Sequence, residues 1–267
     1  MKPGAAAGAT AMSLSRCEFQ HDDLTFSYLD AGGDGPALIA LHAHLMEALT
    51  YAGLAAELAP QWRVVALDQR GHGHSSHAAS YTRADYLGDI EALFVHLGLQ
   101  KAVILGNSLG GVNAYQFAAR HPDRVAGLII EDIGAVISDE ITFVLPWEGV
   151  FATRRELEEC TGARFVPYLE DSIRNSPAGW RLAFKPRDMV LSQHKMIGDH
   201  WSDWLATSCP ALLLRGRESR VTTQEHLEQM ARRRKNTQLQ TLDGGHALHV
   251  DNPRGFLRAI HSFLGQL

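Results

Sequence analysis

Along the chain, short apolar runs alternate with longer stretches in which apolar positions recur at helical spacing. The short runs fall at Leu24–Leu29, Ala37–Leu41, Arg63–Leu67, Ala102–Leu105, Ala126–Ile130, Ala211–Leu214 and Gln238–Leu242. Several have little polar alternation, as expected of strands covered on both faces. The stretches between them, at Leu45–Leu58, Arg83–Leu97, Leu109–Arg120, Gln224–Arg233 and Pro253–Leu264, read as amphipathic helices. Strand and helix in alternation predict parallel βαβ units and an α/β fold. No internal repeat interrupts the pattern.

The rhythm breaks between about residues 138 and 208. That segment is rich in Trp, Glu, Arg and Phe, reads as several short helices, and contains no convincing strand. The expected organisation is therefore a flexible N-terminal tail (1–15), an α/β core (16–137 and 209–267) and a helical cap subdomain (138–208). Clefts in open α/β sheets lie beyond the carboxyl ends of the strands, where such a cap would sit. The alternative is a plain helical connection with no part in binding.

Composition narrows the classes. With 45% hydrophobic and 21% charged residues, the 267-residue chain has the balance of an ordinary globule. Its formal charge of −5 argues against nucleic acid. The run Arg232–Lys235 is expected to be a solvated helix end. Three cysteines at unrelated spacings form no disulfide framework or metal pair, which fits a reducing, cytoplasmic setting. No run approaches a membrane span.

The chemistry concentrates at Gly106-Asn107-Ser108-Leu109-Gly110, where an apolar strand meets a helical stretch. A nucleophile on a sharp strand-to-helix turn sits in a strained backbone, and side chains two positions away would clash. Glycines at 106 and 110 remove those side chains. The turn then lifts the Ser108 hydroxyl into a cleft and aims the helix amino end, with the Leu109 amide, at developing negative charge. Serine needs a base. His246, on a Gly-Gly loop after the last strand, is placed to supply it, while His249 is expected to make local hydrogen bonds.

In chain order, Leu41-His42-Ala43-His44, the Asp68–Ser75 run, the Ser108 elbow and Gly245-His246 make the sequence resemble the α/β-hydrolase superfamily over almost its whole length. The resemblance implies a mostly parallel eight-stranded sheet flanked by helices, with a helical cap. It implies a serine hydrolase of carboxylic esters or related acyl compounds, acting through an acyl-enzyme. It also maps the oxyanion hole to the backbone amides of His44 and Leu109, although Ala43 stands where glycine is usual. The Asp68–Ser75 run is expected to hold loops in place. The superfamily also contains lactonases, thioesterases, carbon–carbon bond hydrolases and cofactor-free haloperoxidases, and its scaffold serves small-molecule receptors with slow turnover.

The acid of the triad is where the chain departs from its relatives. It usually lies in a Gly-x-x-Asp turn after the strand that follows the cap, but here Gly216-Arg217-Glu218-Ser219 puts serine at that place. Asp132, at the end of an earlier strand, and Glu218 are the two candidates, with Asp132 preferred. No metal or cofactor is expected, because neither His42/His44 nor His72/His74 is joined by a third ligand at a usual spacing. The expected partner is a small acyl substrate, met by a monomer or homodimer without nucleic acid or membrane. Phe143, Trp147 and Phe151 are the expected substrate-binding aromatics.

Overall fold

A computed structural model describes residues 14–267. Residues 1–13 of the expected tail lie outside the described residues, and Ser15 already opens the first strand. In chain order the first half contains β1 (Ser15–His21), β2 (Leu24–Asp30), β3 (Ala37–Leu41), α1 (Ala52–Leu58), β4 (Arg63–Leu67), α2 (Arg83–His96), β5 (Ala102–Asn107), α3 (Leu109–Arg120) and β6 (Val125–Glu131). A two-residue strand β7 (Val136–Ile137) leads into the insertion. There α4 (Arg154–Thr161), α5 (Val166–Leu169), a hairpin of β8 (Ile173–Ser176) and β9 (Gly179–Leu182), α6 (Pro186–Met196), β10 (Gly198–Asp199) and α7 (Trp201–Leu205) follow. The chain closes with β11 (Ala211–Gly216), α8 (Gln224–Arg233), β12 (Thr237–Leu242), α9 (Leu248–Asp251) and α10 (Pro253–Leu264).

Eight strands form one sheet in the order β1-β2-β4-β3-β5-β6-β11-β12. From β4 to β12 every pairing is parallel, and β1 and β2 are antiparallel at one edge. The two-residue period of a strand sorts its side chains between the sheet's faces. Ile39, Leu41, Val65, Ile104 and Leu213 join one core with α2, α3 and α8. Leu38, Ala40, Val64, Val103 and Leu212 join the other with α1 and α10. All of β3 and β5 is buried. Local signals set the helix starts: Thr82 and Asp85 form a reciprocal capping box on α2, and Asn252 with Pro253 opens α10.

The insertion has its own apolar cluster, built on Val144, Trp147, Leu157, Leu169, Leu182, Phe184 and Met189. It is not purely helical as expected, since β8 and β9 pair as a hairpin. The basic run also differs from its expectation. Arg232 does pair with Glu228 at the helix end, but Arg234 is buried, donating to Thr207 and the Cys209 carbonyl, with its guanidinium over Trp204. Among the described residues no helix is long and apolar enough to cross a membrane.

Candidate active site

Ser108 occupies the cap position between β5 and α3 with φ 52° and ψ −115°. Such a backbone costs a non-glycine residue about 1–3 kcal/mol and persists only where the surroundings dictate it. Here they do. A Cβ on Gly106 would strike the Gly110 carbonyl, and one on Gly110 would strike the Leu41 carbonyl, so α3 is pressed directly against β5 and β3. The Ser108 amide donates to the Glu131 carbonyl at 3.1 Å, tying the turn to the end of β6. Leu109, first in α3, carries one of the amides left without an intrahelical acceptor.

Asp132 follows β6, one strand over from the elbow and beside β11. It too has a positive φ, 50°, a conformation that aspartate tolerates better than most residues. Its carboxylate is fully buried, and four donors converge on it. The Gly216 amide (3.1 Å) and Thr222 Oγ1 (2.9 Å) donate to Oδ1, while Ser219 Oγ and His246 Nδ1 (2.8 Å) reach Oδ2. Ser219 thus hydrogen-bonds the carboxylate from the position where a second acid would bring like charge. Glu218 is exposed at the rim of the same cavity, its carboxylate accepting from the Gly244 amide rather than from His246.

A second carboxylate–imidazole pair lies beside the first. Glu131 is fully buried and accepts from the His249 amide (3.0 Å) and from His249 Nδ1 (2.9 Å), and His249 Nε2 meets Thr50 Oγ1 at 2.9 Å. Asn107 Nδ2 bridges the carbonyls of Glu131 and His246, both at 3.0 Å. These contacts clamp the His246 loop to β5 and β6. In the sequence, Asn107 and Glu131 were mere neighbours of Ser108 and Asp132, and only their adjacency could have flagged them.

The loop from His42 to Glu47 leaves the end of β3. Ala43 is absent from the positive-φ residues, so an alanine there is unstrained; the strain sits at Leu45, with φ 71°. His42 is buried, its Nδ1 bonded to the Ala43 carbonyl and its Nε2 accepting from the Gln69 amide; burial lowers its pKa to about 4. His44 and His72 are held neutral by the same desolvation. The Asp68–Ser75 run holds loops: Asp68 accepts from the amides of Ala48 and His74, and Ser75 donates to the Asp68 carbonyl.

Glu47, buried and close to Asp68, has its pKa raised from 4.5 to about 7, chiefly by desolvation. A raised acid binds its proton more tightly folded than unfolded, so its contribution is complete below pH 4.5 and is lost as pH rises through about 7. The stability of Glu47→Gln relative to the parent should therefore climb across that interval and level off above it. Thermal unfolding at graded pH checks this, and a flat difference would contradict it.

Ser108 and His246 line one cavity of about 610 Å³. Its apolar wall includes Leu45, Ile133 and Ile137 from the core side and Ile141, Phe143 and Met196 from the insertion. His44 lies on the same lining. Of the three expected aromatics, only Phe143 lines this cavity. Trp147 is 4% exposed within the insertion's core, where it packs edge-on to Phe143 and Phe165. Phe151 pairs with Trp180 through backbone hydrogen bonds and packs on the same cluster. Trp147→Ala should thus lower stability by about 3–5 kcal/mol, as large-to-small core changes do. Phe143→Ala should instead shift selectivity among acyl lengths at little stability cost. Denaturant titration and ester profiling of both variants check the contrast, which the reverse pattern would refute.

A family model described as "alpha/beta hydrolase fold" matches residues 36–154, the span that carries β3, the elbow and β6. Together with the strand order above, this match gives the chain the α/β-hydrolase fold. It is 28% identical over 262 residues to an sn-1-specific diacylglycerol lipase ABHD11 of Mus musculus, covering 90% of this chain and 85% of that protein. An α/β hydrolase from Novosphingobium aromaticivorans superposes with a TM-score of 0.80 at 27% identity, covering 97% of this chain and all of the other. The fold is also that of an E-2-(acetamidomethylene)succinate hydrolase, with a TM-score of 0.85, 22% identity, and 95% and 100% of the two chains covered.

Proposed function

We propose that the protein hydrolyses carboxylic esters or related acyl compounds through a Ser108–His246–Asp132 triad. The observation that carries this reading is the buried Asp132 carboxylate on Nδ1 of His246, whose ring lines a cavity together with a strained Ser108. An imidazole hydrogen-bonded through Nδ1 leaves Nε2 to take the Ser108 proton as Oγ attacks the carbonyl carbon. The carbonyl electron pair moves to oxygen, where the amides of His44 and Leu109 stabilise it. Collapse of this intermediate expels the alcohol, which takes the proton from Nε2 and leaves an acyl-serine. Water, activated by the same imidazole, then releases the acid and frees Ser108. The relative named as a diacylglycerol lipase supports ester chemistry, and the apolar cavity wall supports an apolar acyl group.

Part of residues 138–208 acts in this reading as a cap, since its side chains complete the cavity. Three free cysteines support a cytoplasmic setting. The test is a steady-state profile over nitrophenyl esters of graded acyl length, with a lactone and a thioester included. A half-ester of a dicarboxylic acid belongs in the panel because charged side chains of both signs, Arg164 and Arg220 with Asp139, Glu140 and Glu218, also line the cavity. A kcat of about 1 per second or more on one of these is expected. Very slow turnover of all of them, with large ligand-induced stabilisation, would instead mark a receptor.

A further inference from the structure

The His44–Glu47 loop is held from two sides, and the insertion supplies one of them. On the core side, Gln69 bonds His42 at both its ring and its carbonyl, and Asp68 accepts from the Ala48 amide; these contacts bracket the loop but leave residues 44 to 47 alone. Within the bracket, Arg16 of β1 reaches Glu47 at 3.8 Å, the His72 ring lies beside His44 and Met46 packs on Ala43 and Ala247, while the hydrogen bonds to His44 and Leu45 come from the insertion. Ser192 Oγ, on α6, meets His44 Nε2 at 2.8 Å and also meets the Tyr86 hydroxyl at 2.8 Å. Ser172 Oγ donates to the Leu45 carbonyl at 2.9 Å, and Arg174 pairs with Glu47. The Leu45 side chain packs on the insertion's apolar cluster. Ser172 and Ser192 are both fully buried, so none of this is a solvent-facing accident.

Leu45 is the residue with φ 71°, and a leucine stays in that region only if its surroundings compel it. The groups that hold Leu45 itself are those of the insertion, Ser172 at its carbonyl and the apolar cluster at its side chain. We propose that Ser172, Arg174 and Ser192 are positioning residues for the oxyanion site, holding the His44–Glu47 loop in the conformation that presents the His44 amide. Competence for hydrolysis then depends on the insertion being docked, and a substrate that wedges it away loses one oxyanion donor. The inference rests on the triad and oxyanion reading above.

The test uses nitrophenyl acetate, whose two-carbon acyl group makes little use of the cavity wall, and a phenyl trifluoromethyl ketone, whose hemiketal with serine carries an oxyanion. Ser172→Ala and Ser192→Ala should each lower kcat by about tenfold or more with KM within about twofold, because a displaced donor costs transition-state rather than ground-state binding. Affinity for the ketone should fall in proportion to kcat/KM. A kcat within twofold of the parent, or a raised KM at unchanged kcat, would overturn the proposal. Should either serine variant fail to fold, Arg174→Met, at a partly exposed side chain, carries the same expectation. If the ketone does not inhibit the parent protein and Ser108→Ala keeps its turnover, the triad reading falls and takes this proposal with it. Normal kcat in the variants alongside normal inhibition of the parent removes this proposal alone.

Discussion

Ser108→Ala is expected to fold as the parent does and to lose ester hydrolysis by about 10⁴–10⁶-fold, because the members of a triad act as a unit. The substitution keeps a Cβ at the same strained backbone angles, so the elbow's geometry and its stability cost both remain. Ser108→Gly should be equally inactive yet more stable than Ser108→Ala by about 1 kcal/mol, since glycine alone adopts that region freely. Circular dichroism, denaturant titration and initial rates on a nitrophenyl ester check both statements. Turnover within tenfold of the parent in either variant would end the nucleophile assignment.

Asp132→Asn should lower kcat by about 10³–10⁴, whereas Glu218→Gln should cost less than tenfold. An amide at position 132 must present its NH₂ either to the Gly216 and Thr222 donors or to the Ser219 and His246 donors. In the second case the imidazole can keep its bond only in the wrong tautomer, with Nε2 protonated and unable to act as base. Asn is the informative change, because Ala would leave several buried donors unsatisfied and destabilise the fold as well. Glu218, exposed and bound to the Gly244 amide, has no part in this geometry. The opposite ranking of the two variants would put the acid after β11 rather than after β6.

The sheet was legible where burial on both faces wrote it into the chain. The expected runs at Ala37–Leu41 and Arg63–Leu67 match β3 and β4 to the residue. β1 was missed because Ser15–His21 is an edge strand, mostly exposed, whose polar sequence carries no apolar run. The β8–β9 hairpin was missed for the same reason, being a pair of four-residue strands with little burial. At the site, the elbow and the His246 loop could be read locally, because turn chemistry demanded their glycines. Bringing Asp132 to His246 needed the order of the strands, which places β6 between β5 and β11.

What could not be read was anything set by packing across the chain. The Glu131–His249 pair joins residues 118 apart, and Ser192 meets His44 across 148. Trp147 and Phe143 looked alike in the sequence, as aromatics four positions apart. Only the fold turns the first into the insertion's core and the second toward the cavity. Arg234 was hidden in a basic run because nothing local announces that Trp204 and Cys209 will enclose it.

The central claim, that Ser108 is the nucleophile of an acyl-enzyme reaction, is tested most directly by covalent capture. The parent protein should be incubated with a serine-reactive fluorophosphonate and digested, and the modified peptide identified by mass spectrometry. One adduct per chain is expected, on the peptide containing Ser108, formed at a rate that Asp132→Asn and His246→Ala reduce in parallel with ester turnover. An adduct on another residue, or equal labelling of Ser108→Ala, would contradict it.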